Sequence, residues 1–375
     1  MRNFILTSEA VTAGHPDKLC DQISDAVIDA ALTDAPATAC IAECAIASGL
    51  VFLSIRHARR LGFDPAALAR RVLAEAGYPE AAEGPGTTVV LDSVLTPELG
   101  HKDTAPGQMT TAFGYACDHN PARMPAPIEL AHSLAGAFSR ARQEETLAWL
   151  APDALAQVAR RLEARRPAEI AGIGLTYYRG GADGPVGDDA SAALQAALID
   201  RVLEAKGWDP SALPQPSILG REGPGGPKAH SGLTGRKTAD DSYGSFARQG
   251  AAALSGKDPS RIDRIAAYAA RQAVVSVVAA GLATECEVQL SYVVGAAAPA
   301  SIEIDTFGSA VKPEAEIDAL LAEAFDFRAG AISERLGLWA LPTERGGRFY
   351  RDLAVGGQVG RPNLDLPWDS PVPLG

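Results

Sequence analysis

The sequence predicts an α+β fold, because paired apolar runs of strand length alternate with stretches whose apolar residues recur at helical spacing. Strand pair and helix recur about three times along the chain, although identity between the units is too low to establish a repeat. Pro16 suits a first helical turn, where its missing N–H costs nothing, and Leu19, Ile23, Ala26, Val27 and Ala30 carry that helix onward. Residues 41–47 and 50–55 flank Ser48-Gly49 and read as a β-hairpin. A helix over 65–76 and a strand over 87–91 follow. The pattern then gives a helix over 127–142, a strand over 172–178, and a helix over 190–205 with apolar spacing at Leu194, Leu198 and Val202. The last third reads as a long alanine-rich helix over 261–280, strands over 287–294 and 300–306, and a helix over 313–324. Glycine- and proline-rich stretches at 84–86, 180–187 and 210–227 mark loops or boundaries.

At 375 residues the chain is long enough for two or three domains with ample core. Its 47% hydrophobic and 21% charged residues are those of an ordinary soluble globular protein. A net charge of −12 argues against a general nucleic-acid surface, so the basic residues that matter should be focused in one pocket. Five cysteines (Cys20, Cys40, Cys44, Cys117, Cys286), odd in number and without a CxxC, imply buried thiols in a reducing compartment. The N-terminus has no basic-then-apolar leader and no apolar run approaches the ~20 residues needed to span a bilayer, which implies a cytoplasmic protein with no membrane partner.

The chemistry concentrates in residues 7–18, read as a loop ahead of the first helix, where Glu9, His15, Asp17 and Lys18 stand within ten residues. Unpaired N–H groups and the positive end of the helix dipole favour an anion there, and Asp17 can hold a hard cation that neutralises it. Phosphate with magnesium is the reading these residues support.

Three ordered blocks carry a family resemblance. Ser8-Glu9 with 14–18 and 21–26, then 232–237 followed by Asp241, Tyr243 and Gly244, then 255–264, resemble the signature segments of the S-adenosylmethionine synthetases (methionine adenosyltransferases). Weaker matches at 113–116, 124–128, 149–153 and 266–271 extend the likeness from residue 7 to about 368. The resemblance implies three similar α/β-sandwich domains about a pseudo-threefold axis, with approximate linear boundaries at 1–110, 111–230 and 231–375 and a chain that weaves between domains. It also implies a homodimer or homotetramer with active sites at the subunit interface.

By the same resemblance the substrates are ATP and a thioether acceptor, and the cofactors are two Mg²⁺ per site and K⁺. Attack of a neutral thioether on the ribose C5′ expels triphosphate, so fixed cations on the leaving group lower the barrier most. His15, Lys18, Arg236, Lys237 and Lys257 are expected to carry that work, with Asp17 and Asp263 on Mg²⁺ and Glu43 on K⁺. Glu9, Asp153, Arg221, Ala253, Ser255 and Ile302 are expected around the nucleotide, and Arg56, Gln108, His230 and Arg261 around the acceptor.

The sequence also departs from the family pattern. Arg56, Gln108 and His230 stand where carboxylates are expected beside the acceptor's ammonium, Leu155 replaces a lysine, and Glu222 replaces an aromatic residue that stacks on the adenine. The gating loop is shortened to about 96–106 and has no counterpart of its methionine-contacting glutamine. Three readings follow: a synthetase that makes S-adenosylmethionine through rearranged contacts, an adenosyltransferase for an acceptor without a free ammonium, and a weakly catalytic nucleotide-binding paralogue acting as partner or regulator.

Overall fold

A computed structural model describes residues 3–81, 87–97, 99, 106–180 and 184–374; most of the shortened 96–106 loop lies outside the described residues. The first half of the chain runs β1 (Phe4–Val11), α1 (Pro16–Asp34), β2 (Cys40–Ala47), β3 (Leu50–His57), α2 (Pro65–Glu75), β4 (Thr88–Leu95), β5 (Thr110–Cys117), α3 (Ala126–Gln143), β6 (Leu150–Glu163) and β7 (Arg166–Arg179). Then come α4 (Gly187–Leu194), α5 (Asp200–Ala205), β8 (Ser217–Glu222), β9 (Gly232–Leu233), α6 (Thr238–Asp241) and α7 (Ile262–Ala279). The chain closes with β10 (Glu285–Tyr292), β11 (Ser301–Asp305), α8 (Glu314–Ala324), α9 (Ala329–Arg335), α10 (Leu341–Glu344) and α11 (Phe349–Leu353).

The strands form three sheets, ordered β4-β3-β2-β9, β1-β6-β7-β8 and β11-β10-β5. Each is backed by one long helix: α1 packs on β2, α3 on β6 and β1, and α7 on β5 and β10. All three sheets borrow a strand from a distant part of the chain. β1 runs antiparallel to β6, β9 joins β2, and β5 runs antiparallel to β10.

The hairpin expected around Ser48-Gly49 is present, as are the helices α1, α2, α3, α7 and α8. The helix over 190–205 is interrupted by a π turn at Gln195–Ile199. The reading of residues 7–18 as one loop is corrected: Thr7, Ser8 and Glu9 lie on β1, and only the few residues between Val11 and Pro16 turn freely. Strands β5, β6, β8 and β9 likewise have no counterpart in the sequence reading. In β6 the reason is composition, since its alanines, leucines and arginines favour helix in isolation and become strand between β1 and β7.

One stripe of α1 organises the interior. Asp17, Asp21, Asp25 and Asp29 recur every four residues on one face of the helix, and all four are buried. Each accepts backbone N–H groups from another segment: Asp17 from Leu233 (3.0 Å), Asp21 from Gly235 (2.8 Å), Asp25 from Gly256 (2.8 Å), and Asp29 from Tyr350 and Arg351 (2.9 Å each). Asp25 also pairs with Arg264 of α7 at 2.6 Å, and neither side chain is exposed. Removing one member of such a pair leaves a bare buried charge, so Asp25→Ala is expected to lower the unfolding free energy by about 3–5 kcal/mol. A urea midpoint equal to that of the unmodified protein would show that the pair does not hold α1 to α7.

Candidate active site

The site forms where the segment after β1 meets the β9 turn. Gly232 permits the approach, since a Cβ there would lie 2.2 Å from the Pro16 carbonyl, and one on Gly14 would lie 2.3 Å from the Pro152 Cβ. Asp17 Oδ1 accepts the Leu233 N–H and has the Arg236 guanidinium at 3.6 Å, while Lys237 reaches Glu9 at 3.4 Å. His15, Asp17, Arg236, Lys237 and Glu9 are thereby brought together at the N-terminus of α1.

His15 caps that helix: its Nδ1 accepts the Asp17 N–H at 3.2 Å. The network thus assigns the ring proton of the neutral imidazole to Nε2. Burial, then the Lys237 ammonium and His230, push the His15 pKa down to about 3. The residue is a neutral N–H donor at physiological pH. Its ring meets that of His230 edge-on at 4.9 Å, and His230 Nε2 lies 2.8 Å from Asp153, which also accepts the Gly226 N–H at 2.8 Å. The donor atoms of His15, Asp153 and His230 lie within 4.8 Å of one another, a spacing that suggests a metal. The tautomer argues otherwise, because a nitrogen carrying the proton has no lone pair for an ion and exchanging tautomers forfeits the cap. These three groups form a hydrogen-bonding cluster.

Lys257 and Asp263 form a second group at the start of α7. Lys257 Nζ lies 2.7 Å from Asp263, burial lowering its pKa and Asp263 opposing that. Gln108 and Thr110 also donate to Asp263, and Arg261 donates to Gln108 at 2.7 Å. Glu43, Ala253, Ser255 and Lys257 line one cavity of about 150 Å³ beside Leu233 and Thr234, which joins the two groups.

Several expectations change. Lys18 is not in the phosphate set: fully buried, it pairs with Asp241 (2.5 Å) and Asp21 (3.1 Å). Burial disfavours its charge, but the Asp241 and Asp21 carboxylates hold its pKa above the ordinary value. Asp263 does not fit a metal as arranged, since three donors use both its oxygens, whereas Asp17 Oδ2 has no hydrogen-bond donor among the described residues and fits a hard cation. Glu43, the one carboxylate among the described residues that line its cavity, suits a monovalent ion better than a divalent one. Arg221 is exposed on β8 opposite Tyr178, whose ring stacks on His230, and Ile302 lies on β11 opposite Leu290, so neither joins the cluster within this chain.

The three positions where carboxylates were expected instead face carboxylates: Arg56 pairs with Asp92 at 2.9 Å, Gln108 with Asp263, and His230 with Asp153. Glu222, which has no ring to stack on an adenine, pairs with Arg179 at 2.9 Å. Sequence reasoning missed Asp21 and Asp241 as the partners of Lys18. The four-residue spacing of acids in α1 is the signal that points to Asp21; no local signal marks Asp241, 223 positions away.

The depressed His15 pKa has a signed consequence. Between about 6.5 and 3 the unfolded chain binds a proton that the folded chain refuses, so stability falls as pH drops through that window. The slope from this group is at most about 1.4 kcal/mol per pH unit. His15→Asn is expected to flatten the curve of unfolding free energy against pH there, and an unchanged curve would place the imidazole in water.

Family models match the chain in three consecutive parts: S-adenosylmethionine synthetase N-terminal domain over residues 3–93, central domain over 103–211 and C-terminal domain over 224–370. The chain is 38% identical to an S-adenosylmethionine synthase of Trichormus variabilis, over 98% of its own length and 94% of the relative's. It is 37% identical to that of Synechococcus elongatus and 38% identical to that of Gloeobacter violaceus, again over 98% of its length and covering 95% and 96% of theirs.

Proposed function

The chain belongs to the S-adenosylmethionine synthetase family, and we propose that it transfers the adenosyl group of ATP to the sulfur of methionine, giving S-adenosylmethionine and triphosphate, which one water then splits into pyrophosphate and phosphate. The observation that carries this reading is the grouping of His15, Asp17, Arg236 and Lys237 at one helix N-terminus, with Lys257 in a cavity lined by Leu233 and Thr234, just ahead of Arg236 in the chain. A sulfur lone pair attacks C5′, the C5′–O bond breaks, and its electron pair leaves with the triphosphate. Arg236, Lys237 and Lys257 meet that growing charge, each leaving a carboxylate partner to do so. His15 donates its Nε2–H to the ribose oxygen or to the departing bridge oxygen.

Mg²⁺ at Asp17 would neutralise phosphate oxygens, and K⁺ at Glu43 would add fixed positive charge beside Lys257. Arg221, Glu9, Ala253, Ser255 and Ile302 complete the nucleotide side, while Arg56, Gln108 and Arg261 line the acceptor side. Asp153, buried and paired among the described residues with a histidine and a backbone N–H, balances the methionine ammonium despite the residues that replace carboxylates around it.

The outer face of the β4-β3-β2-β9 sheet supports a homodimer. Leu50, Phe52, Val90 and Leu233 are 48%, 45%, 45% and 47% exposed on it, beside the Arg56–Asp92 pair. A face this apolar calls for a covering surface, which a second copy supplies. No helix among the described residues is long and apolar enough to cross a membrane, and all five cysteines are free and buried, in keeping with a reducing cytoplasm.

Mass spectrometry of products from ATP, Mg²⁺ and K⁺ should show S-adenosylmethionine only when methionine is present. ATP turnover without that product would reject the assignment. His15→Ala should reduce kcat by about 10²–10³ with ATP still bound; a wild-type kcat would remove His15 from the reaction. Phe52→Glu should convert a dimer to monomers in light scattering, and a persistent dimer would place the interface elsewhere.

A further inference from the structure

A second cavity, of about 480 Å³, lies behind the catalytic segment and takes no part in the chemistry above. One wall is a polar stripe of α3, on which Glu129, His132, Ser133, Gly136 and Arg140 follow helical spacing. Val11, Thr12 and Ala13 form the facing wall, ending two residues before His15, and the 355–363 segment closes the third side with Arg361. Its volume falls within the range of small-molecule sites, roughly 300–1,000 Å³.

The charges are unbalanced. Glu129 is tied to Lys206 outside the stripe, and His132 holds Asp240 at 2.8 Å. Arg361 donates from Nη1 to two carbonyls, Val355 (2.6 Å) and Gly357 (3.1 Å), and burial lowers its pKa although the Asp352 and Asp369 carboxylates oppose that. Arg140 adds a second guanidinium at the rim. With Glu129 paired to Lys206 and Asp240 hydrogen-bonded to His132, Arg140 and Arg361 are the cations that line the hollow, which makes it complementary to negative charge.

We propose that this cavity binds a small organic anion bearing phosphate or carboxylate groups, with Arg140 and Arg361 as its recognition groups. Its occupant rests against Thr12 and Ala13, whose neighbour His15 donates its N–H to the Thr12 carbonyl at 3.1 Å. Bound ligand and catalytic segment therefore share one backbone.

The test uses the full chain with the ATP site filled by a non-hydrolysable ATP analogue and Mg²⁺, and 3-phosphoglycerate as probe, followed by calorimetry and ligand-observed NMR. One site per chain with a Kd below about 1 mM is expected. Gly136→Leu should abolish it, because a Cβ at Gly136 meets nothing closer than the end of Arg140 at 3.4 Å and leucine suits a helix interior better than glycine. Arg140→Gln, at an exposed position, should weaken binding about tenfold with an unchanged Tm. No binding at about 10 mM probe, binding indifferent to both variants, or loss of binding as the ATP analogue is added would each overturn the proposal.

Discussion

The row of four aspartates on α1 is the constraint on which the rest of the molecule depends. A buried carboxylate is tolerated only when its lone pairs are used, and here they are used by main-chain N–H groups of segments that belong to no common sheet. Leu233 and Gly235 carry the turn with Arg236 and Lys237, Gly256 precedes Lys257, and Tyr350 and Arg351 open α11. One helix face thus sets the positions of three cations that no continuous element could align. The fully buried Lys18 belongs to the same scheme, since it offsets part of the charge that the row accumulates.

Each cation of the site faces a carboxylate: Arg236 faces Asp17, Lys237 faces Glu9, and Lys257 faces Asp263. In the function proposed above, a triphosphate would exchange one set of charge pairs for another, each cation turning from its carboxylate to the leaving group. The neutral His15 is the exception. Its acceptor nitrogen is committed to the helix cap, so only its donor is free for substrate.

Where function rests on local pattern, the sequence discloses it. The glycine that lets the β9 turn touch Pro16, the capping histidine, and the Arg236-Lys237 pair all lie inside short blocks whose spacing is itself informative. What stayed hidden depends on distant partners. No residue near Lys18 reveals that Asp241 will neutralise it, so a lysine at a helix start reads as a phosphate ligand until the fold turns it inward. β6 fails differently: a run such as Leu-Ala-Gln-Val-Ala-Arg-Arg-Leu favours helix by itself, and only β1 and β7 on its two sides make it a strand. The substitutions at Arg56, Gln108 and His230 read as lost carboxylates because Asp92, which answers one of them, is brought opposite Ser54 only by the parallel pairing of β3 and β4.

The interleaving of the sheets also governs how the chain is made. β1 is synthesised first, yet its partner β6 begins only at Leu150, and β5 waits for β10 at Glu285. At ribosomal speed each interval is on the order of 10 s, during which a strand edge is exposed with nothing to pair it. No third of the molecule can close its own sheet. The sheets close in sequence, β1-β6-β7-β8 once Glu222 is made, β4-β3-β2-β9 at Leu233 and β11-β10-β5 only at Asp305, so β5 keeps an open edge longest.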